Sequence, residues 1–183
     1  MVKDSNLYNL KTTLLSFEAK RWIGILEEGE NSGQLIQIFQ RSVDGQANKE
    51  SWCMAFAQYC IKMADRAFAV LFPNEPISES TIFRSEHCLT TWNRSPELQT
   101  STPVKGSLCI WQKFNGSAAT SSGHVGVVTD VHGDGTISVV EGNTSSSNKA
   151  IEREGDGVYL KRYTVGKMDR GALMLKGFLR VWM

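Results

Sequence analysis

The spacing of the apolar residues changes once along the chain, near Pro103, and this change constrains the fold more than any other feature of the sequence. Before Pro103, apolar side chains recur at steps of three and four residues, which predicts amphipathic helices. After Pro103, short Val- and Leu-rich segments alternate with turns that contain Gly and Asp, which predicts strands and hairpins. Helices followed by a meander of strands indicate an α+β domain.

Three helices are predicted before Pro73. The first lies within residues 7–26, the second is a short helix around 35–39, and the third runs from about 51 to 72. Pro73 ends the third helix because proline lacks the backbone donor that a helix interior requires. The segment from Pro73 to Pro103 is expected to contain a helix and loops, without a more exact placement.

Five strands are predicted after Pro103, at residues 107–111, 124–131, 137–140, 157–160 and 178–182. The turn at 132–135 joins the second and third strands as a hairpin. The Ser-rich segments at 117–122 and 145–147 are expected to be loops.

The 183 residues are expected to form one domain whose core is large enough to need no disulfide or zinc. The four cysteines contain no C-x-x-C pair, which argues against a zinc ribbon or a thioredoxin-type dithiol and favours free thiols. The balance of 20 Lys and Arg against 19 Asp and Glu leaves a net charge of +1. This charge argues against nucleic acid and anionic membranes as partners.

No apolar run of signal-peptide length follows Met1, and no segment approaches the roughly 18 apolar residues of a membrane helix. We therefore expect a protein that is made in the cytoplasm without a signal peptide and does not insert into a membrane. Action on an extracellular target would require release or delivery.

Cys53 is the candidate nucleophile because it opens the third predicted helix. The positive end of the helix dipole lowers the pKa of a thiol there and stabilises the thiolate, which is the reactive form. Taken alone, a cysteine at a helix start is more often a buried small hydrophobic residue. Cys60, on the apolar face of the same helix, and Cys109, inside an apolar strand, are predicted to be core residues.

His124 is predicted at the first position of a strand, after a flexible Ser/Gly loop, where a sheet edge would present its imidazole. Glu141 and Asn143 end the next strand and are two residues apart, so both are expected on one side of it. A hairpin turn near residue 134 would bring them opposite the His124 end of the neighbouring strand. A carboxylate or amide on one imidazole nitrogen leaves the other nitrogen facing a thiol, as Cys–His nucleophilic catalysis requires.

Three segments resemble the signature blocks of CHAP domains: Ser-Trp-Cys-Met-Ala-Phe at 51–56, Gly-His-Val-Gly-Val-Val at 123–128 and Val-Glu-Gly-Asn at 140–143. Further segments that agree stand at 28–33, 103–108 and 153–159. CHAP domains are NlpC/P60-like, papain-related cysteine peptidases and amidases that cut bacterial peptidoglycan. The resemblance covers about residues 22–165 and is greatest to phage-endolysin-like members. It implies a papain-like α+β fold with N-terminal helices packed on a small antiparallel sheet or half-barrel.

The resemblance implies a role for each residue of the constellation. Cys53 is the expected nucleophile, His124 the base, Glu141 the orienting residue and Asn143 a helper. The expected reaction is hydrolysis of a peptidoglycan amide bond through a Cys53 thioester, with either an N-acetylmuramoyl–L-alanine amide or a peptide bond as the target. Peptidoglycan is then the expected partner, and the protein is expected to act as a monomer.

Two residues are candidates for binding substrate. The oxyanion would be held by the Cys53 N–H and a side-chain donor, for which Gln46 is the candidate. Trp52 is a candidate for lining a substrate groove, although a buried core position is the commoner role for such a residue.

Some CHAP enzymes bind calcium through a loop just before the cysteine, and the residues that alternate here in a similar manner are Asp44, Gln46, Asn48 and Glu50. Calcium requires several oxygen ligands, usually with more than one carboxylate. Ala55 stands where some members have a further acidic ligand, so a solvated turn at Asp44-Gly45 is the preferred interpretation and no cofactor is required. Ser107, where family members usually carry Asp, is a second departure from the pattern.

Three other functions stay open: a catalytically silent wall-binding module, a Cys–His acyl-transfer enzyme acting on another peptide, and a delivered antibacterial effector with the same chemistry. The silent module is disfavoured because Cys53, His124 and Glu141 are all present together with Asn143.

Overall fold

The computed structural model describes residues 2–75, 79–146 and 155–182. Its helices precede its strands, as predicted: α1 Val2–Lys20, α2 Gln34–Asp44, α3 Cys53–Leu71 and α4 Cys88–Asn93, followed by a 3-10 turn at Pro96–Leu98. Helix α4 and the 3-10 turn lie between Pro73 and Pro103, the segment for which the sequence predicts a helix without exact bounds. No described helix combines the length and the apolar content that crossing a membrane requires.

The described strands form one antiparallel sheet: β1 Gln99–Thr100, β2 Leu108–Asn115, β3 Ala118–Val131, β4 Thr136–Thr144, β5 Gly157–Thr164 and β6 Leu173–Leu179. Their order is β1-β6-β2-β3-β4-β5. Strands β2 to β5 therefore form a meander, and β6 returns to pair with β2. Helices followed by an antiparallel sheet confirm the predicted α+β class.

The predicted strands all have different bounds in the structure, and the differences are largest for β3 and β6. β3 begins at Ala118, whereas the predicted strand begins at residue 124. The Ser-rich segment predicted as a loop instead pairs with the end of β2, beginning with Ala118 opposite Asn115. Most side chains of this segment are exposed, so it shows no apolar pattern. β6 ends at Leu179, and Trp182, predicted within the strand, is instead buried after it and donates its indole N–H to Asp65 at 2.8 Å. Part of the predicted loop at 145–147, and residues 153–154 of the block at 153–159, lie outside the described residues.

Ser107 closes the turn before β2. Its hydroxyl donates to the Val104 carbonyl at 2.7 Å and accepts the Val104 N–H at 3.3 Å. The serine therefore supplies the local hydrogen bonds at the position where the CHAP pattern has Asp.

The sheet carries apolar side chains on both faces. Ile110 and Val125 belong to the cluster between the sheet and the helices. Cys109, Trp111 and Tyr163 belong to a second cluster on the opposite face. Adjacent residues of β2 thus enter different layers, as the period of two in a strand requires.

The first turn of α3 lies where β3 and β4 separate. The ladder between the two strands ends at the Val127–Val140 pair. Beyond that pair, the Val125 N–H forms a hydrogen bond with the Cys53 sulfur. On β4, Gly142 faces α3 so closely that a Cβ would lie 2.7 Å from the Trp52 ring. The start of a helix is therefore packed against the ends of two paired strands.

Candidate active site

The Cys53 sulfur lies at the N-terminus of α3, and the residue is only 6% exposed. Trp52, the N-cap residue, gives the first turn no side-chain hydrogen bond, and that turn contains no acidic residue. The positive end of the helix dipole therefore acts on the sulfur without a competing carboxylate. The Sγ atom of Cys88 lies 3.6 Å from that of Cys53.

These contacts favour the thiolate. The hydrogen bond from Cys88 lowers the pKa of Cys53 well below its usual value, and the hydrogen bond and charge of His124 act in the same direction, against the effect of burial. The same hydrogen bond, together with burial, raises the pKa of Cys88, so Cys88 is the donor of the pair. Burial raises the pKa of both Cys60 and Cys109, which are core thiols as predicted.

The His124 imidazole bridges Cys53 and Glu141. Its Nε2 lies 2.8 Å from Oε2 of Glu141, and the ring also forms a hydrogen bond with Cys53, for which Nδ1 is the remaining nitrogen. Burial alone would lower the pKa of His124, but the hydrogen bonds and charges of Cys53 and Glu141 outweigh it and raise this pKa. Thiolate and imidazolium therefore stabilise each other.

The structure corrects the predicted setting of His124. The residue lies in the middle of β3, opposite Trp111 of β2, and not at a strand start after a loop. Its ring centroid is 5.9 Å from that of Trp111. A paired strand holds the imidazole more firmly than the predicted loop boundary would.

Glu141 is completely buried, and several side chains converge on its carboxylate. Nη2 of Arg170 lies 3.0 Å from Oε2, and Nζ of Lys161 lies 3.6 Å from the same oxygen. The Tyr163 hydroxyl donates to Oε1 at 2.5 Å. Burial alone would raise the pKa of Glu141, but the hydrogen bond and charge of His124 and the charges of the two cations lower it well below its usual value. Glu141 is therefore ionised.

Gly126 leaves the space that Glu141 uses to reach the imidazole. A Cβ at this position would lie 2.4 Å from Cγ1 of Val139 and 2.8 Å from Cγ of Glu141. Gly126 and His124 are two residues apart on one face of β3, so any side chain at 126 would compete with the carboxylate.

Asn143 does not share one side of β4 with Glu141, contrary to the predicted alternation. The β4–β5 register shifts between Glu141 and Thr144, and Asn143 has a φ of 51°. Its amide lies 2.7 Å from the Asn31 side chain and, with its oxygen directed at α3, accepts the Trp52 backbone N–H at 3.0 Å. Asn143 therefore contacts the start of α3.

A comparison with protein families agrees with this arrangement. The CHAP domain family model matches residues 45–143, more than half of the chain, and this range contains Cys53, His124, Glu141 and Asn143. The chain belongs to the CHAP domain family. Membership implies amidase or peptidase activity on peptidoglycan in general. No curated protein and no solved structure matches the chain significantly.

The two predicted substrate-binding residues of this CHAP domain have different environments. Trp52 is fully buried, stacks on Phe39 at 5.9 Å between ring centroids and donates its indole N–H to Glu27 at 2.5 Å. It fills the core between α2 and α3, so the predicted substrate contact is wrong. Gln46 is exposed in the loop before α3, where its backbone N–H donates to Asp44 at 2.8 Å.

The loop predicted as a candidate calcium site has its own hydrogen bonds. Asp44 accepts the Gln46 N–H and Glu50 accepts the Asn48 N–H, each at 2.8 Å. Within residues 2–75, 79–146 and 155–182, no three His, Cys, Asp or Glu side chains are grouped to hold one metal ion. In this structure the oxygens of Asp44 and Glu50 that accept these N–H groups stabilise turns of the loop.

Glu50 is paired with Glu86, which was not predicted. Burial and the charges of Glu50 and Asp44 raise the pKa of Glu86 to about 7, and a hydrogen bond between the two glutamates acts in the same direction. On each glutamate, Oε1 is buried without a hydrogen-bond partner. The Glu86 carboxyl group is therefore partly protonated near neutral pH, beside Glu50.

Four side chains near the site were not predicted from the sequence: Cys88, Lys161, Tyr163 and Arg170. Lys161 and Tyr163 alternate along β5 beside Glu141, and a lysine inside an apolar strand is a signal that a buried anion is near. Arg170 and Cys88 adjoin loops, where residue spacing does not indicate a partner.

Proposed function

We propose that this CHAP domain hydrolyses an amide bond of bacterial peptidoglycan through a thioester on Cys53. The observation that carries the proposal is the series of contacts from the Cys53 sulfur, through the His124 imidazole, to the buried Glu141 carboxylate. Such an arrangement supplies an activated nucleophile, an acid–base group and an orienting group.

In the first half of the reaction, the Cys53 thiolate attacks the amide carbonyl carbon. The His124 imidazolium then gives its proton to the leaving nitrogen, the C–N bond breaks and a thioester remains. In the second half, His124 takes a proton from water and the hydroxide attacks the thioester. The C–S bond breaks, and the product leaves as a carboxylic acid that loses its proton to the solvent. The Cys53 sulfur regains its negative charge and His124 its proton.

Two supporting roles belong to the same proposal. The Cys53 backbone N–H and the Gln46 side chain hold the oxyanion, for which Gln46 must turn from its exposed position towards the sulfur. Asn143 acts through the Trp52 N–H, which it accepts at 3.0 Å, and fixes the start of α3 rather than the imidazole.

The test is incubation of purified protein with peptidoglycan and identification of the fragments by mass spectrometry. Fragments with a free lactyl carboxylate would identify an N-acetylmuramoyl–L-alanine amidase, and new peptide N-termini an endopeptidase. Cys53→Ala is expected to abolish both kinds of product. Cys60→Ala, a matched control on the same helix and also buried, is expected to retain them.

Intact peptidoglycan after incubation with folded wild-type protein would overturn the proposal. Equal activity of Cys53→Ala and wild type would overturn the assignment of the nucleophile.

A further inference from the structure

Three nitrogen donors meet one oxygen of Glu141, and the reaction described above uses only one of them. Nε2 of His124 lies 2.8 Å from Oε2, Nη2 of Arg170 lies 3.0 Å away and Nζ of Lys161 lies 3.6 Å away. The side chains of Glu141 and Lys161 are buried, at 0% and 4% exposure, and that of Arg170 is 12% exposed.

Other contacts fix Arg170 and Lys161 in place. Arg170 donates to the Tyr163 hydroxyl at 2.6 Å, and its guanidinium lies 4.7 Å from the centroid of the Trp111 ring. Lys161 donates to Oγ1 of Thr144 at 2.6 Å. Both cations are therefore held beside the carboxylate by contacts that do not involve His124.

The cluster differs from a simple Glu–His pair in the cations beside its carboxylate. A lone carboxylate attracts a proton to the imidazole, whereas here the charges of Arg170 and Lys161 also act on Glu141 and lower its pKa. Among the described residues, the titratable or charged groups packed around His124 and Glu141 are Cys53 of α3, Cys88 of α4, Cys109 of β2, Lys161 and Tyr163 of β5, and Arg170 before β6.

We propose that Arg170 and Lys161 are positioning residues, which keep Glu141 ionised and directed at Nε2 and which limit how strongly His124 holds its proton. The proposal rests on the roles assigned above to His124 and Glu141. Because Arg170 and Lys161 partly neutralise its charge, Glu141 orients the imidazole of His124 without preventing the imidazolium from giving up its proton.

Two substitutions are expected to shift the titration midpoint of His124 in opposite directions. Arg170→Met leaves the carboxylate less neutralised, so the imidazolium gains stability and His124 titrates at higher pH. Glu141→Gln removes the negative charge that faces the imidazolium while Arg170 and Lys161 stay beside it, so the imidazolium loses stability and His124 titrates at lower pH.

The experiment is an NMR titration of His124 in a Cys53→Ala background, which removes the coupled thiol and needs no peptidoglycan. Arg170→Met is expected to raise the titration midpoint by at least about half a pH unit, and Lys161→Met is expected to raise it by less. Arg170→Lys is expected to restore most of the wild-type value. Arg162→Met is the matched control, because Arg162 is exposed on the same strand as Lys161 and pairs with Asp134 at 2.7 Å.

Unchanged midpoints in both Arg170→Met and Lys161→Met would overturn the proposal. Midpoints that shift in the same direction in Arg170→Met and Glu141→Gln would also overturn it. A purely structural role of Arg170 does not predict that the two midpoints shift in opposite directions. If Arg170→Met does not fold, Lys161→Met and Arg170→Lys give the same comparison. Failure of hydrolysis, by contrast, would leave these midpoints unaffected.

A different contact carries a second inference, which also rests on Cys53 being the nucleophile. The Cys53 and Cys88 sulfurs lie 3.6 Å apart, and both residues are buried at 6% and 5% exposure. We infer that these two cysteines form a peroxide-sensitive site that closes as a disulfide and stops the reaction. Cys88 would then be the resolving thiol of the pair.

The chemistry balances with hydrogen peroxide as the oxidant. The Cys53 thiolate attacks one peroxide oxygen and the O–O bond breaks. The departing hydroxide takes the proton of the His124 imidazolium to become water, and Cys53 becomes a sulfenic acid. The Cys88 sulfur attacks that sulfur, the S–O bond breaks, and the hydroxide leaves with the Cys88 proton as a second water. Two thiols and one peroxide thus give one disulfide and two waters.

The experiment is peroxide treatment of the whole protein followed by peptide mapping and activity measurement. In wild type, the peptides that carry Cys53 and Cys88 are expected to be joined by a disulfide, with the mass of two hydrogens lost. The oxidised protein is expected to be inactive and to regain activity in dithiothreitol. Cys88→Ala is expected to accumulate sulfinic acid on Cys53 and to stay inactive, while Cys60→Ala responds like wild type. Equal sulfinic acid in wild type and Cys88→Ala, without a disulfide, would overturn the inference.

Discussion

At the scale of single residues, Cys53 and Cys60 show how position separates two thiols on one helix. Both lie in α3 and both are buried, so desolvation raises the pKa of each. Only Cys53 has Cys88, His124 and the Val125 N–H as partners, and these lower its pKa below the usual value. The proposed nucleophile therefore differs from Cys60 in its partners at the helix start and not in being exposed.

His124→Ala is expected to lower the reactivity of Cys53. The substitution removes a hydrogen bond and a positive charge from the thiolate, so less thiolate is present at a given pH. The alkylation rate of Cys53 by iodoacetamide at pH 6 is expected to fall by about tenfold or more. His132→Ala is the control, because His132 is bonded to Ser138 at 2.8 Å and contacts neither Cys53 nor Glu141 in the described hydrogen bonds. Equal alkylation of the His124→Ala variant and wild type would contradict the ion pair.

At the scale of elements, the site depends on the place where β3 and β4 separate and α3 begins. The sheet supplies the imidazole and the carboxylate from adjacent strands, and the helix supplies the sulfur. Small residues on both strands permit this close packing, Gly126 beside Glu141 and Gly142 against α3.

Gly126→Ala is expected to destabilise the fold and to reduce activity. The new Cβ would lie 2.4 Å from Val139 and 2.8 Å from Glu141, so strand or carboxylate must move. We expect a loss of about 1–3 kcal/mol in the free energy of unfolding, measured by urea denaturation. Gly133→Ala, in the turn before β4 where nothing lies within 4 Å of a Cβ, is the matched control and is expected to be neutral. Equal stability of the two variants would contradict the packing argument.

The Glu50–Glu86 pair predicts a dependence of stability on pH. Glu86 has its pKa raised to about 7 in the folded protein, so between about pH 4.5 and 7 the folded state binds the proton that the unfolded state has lost. Stability from this group is therefore full below about pH 4.5 and is lost as the pH rises through about 7. In Glu86→Gln, the melting temperature is expected to change less between about pH 4.5 and 7 than it does in wild type. Below about pH 4.5 the two proteins are expected to differ little. A profile as steep as that of wild type would contradict the raised pKa of Glu86.

Added calcium tests the conformation of the loop that contains Asp44 and Glu50. Because the predicted ligands form turn hydrogen bonds, calcium at millimolar concentration is expected to leave the melting temperature unchanged. A rise in melting temperature that is lost in Glu50→Gln would show that the loop rearranges into a calcium site.

The sequence predicted the main elements and the residues that meet, but not the details of their contacts. Periodicity was sufficient for α3 and for most of the β meander, because their apolar patterns reflect burial on one or two faces. It was insufficient for the start of β3, where an exposed Ser-rich hairpin carries no apolar pattern, and for Asn143, where a positive φ breaks the alternation. Arg170 could not be predicted, because a loop residue reaches Glu141 only through the tertiary fold.

At the scale of the whole molecule, the net charge of +1 and the burial of the proposed nucleophile suggest a hypothesis for where the substrate is recognised. A nearly neutral protein is not concentrated on an anionic wall by bulk attraction. Cys53 and His124 are only 6% and 9% exposed, so a substrate must be fitted locally for its carbonyl to reach the sulfur. We therefore propose that short-range contacts around the start of α3 recognise the substrate.

Hydrolysis of peptidoglycan is expected to depend weakly on salt. Without long-range steering, raising the ionic strength from about 50 to 200 mM should change the rate by less than about threefold. Release of soluble fragments at several salt concentrations measures this. A loss of tenfold or more would contradict recognition by short-range contacts.

The thioester on Cys53 is tested most directly by trapping it. Peptidoglycan fragments are mixed rapidly with the protein, quenched in acid and digested, and the peptide that carries Cys53 is examined by mass spectrometry. The expected result is an acyl adduct on Cys53 that hydroxylamine removes and that is absent from Cys53→Ala. Fragment release without any adduct, together with full activity of Cys53→Ala, would contradict the proposed mechanism.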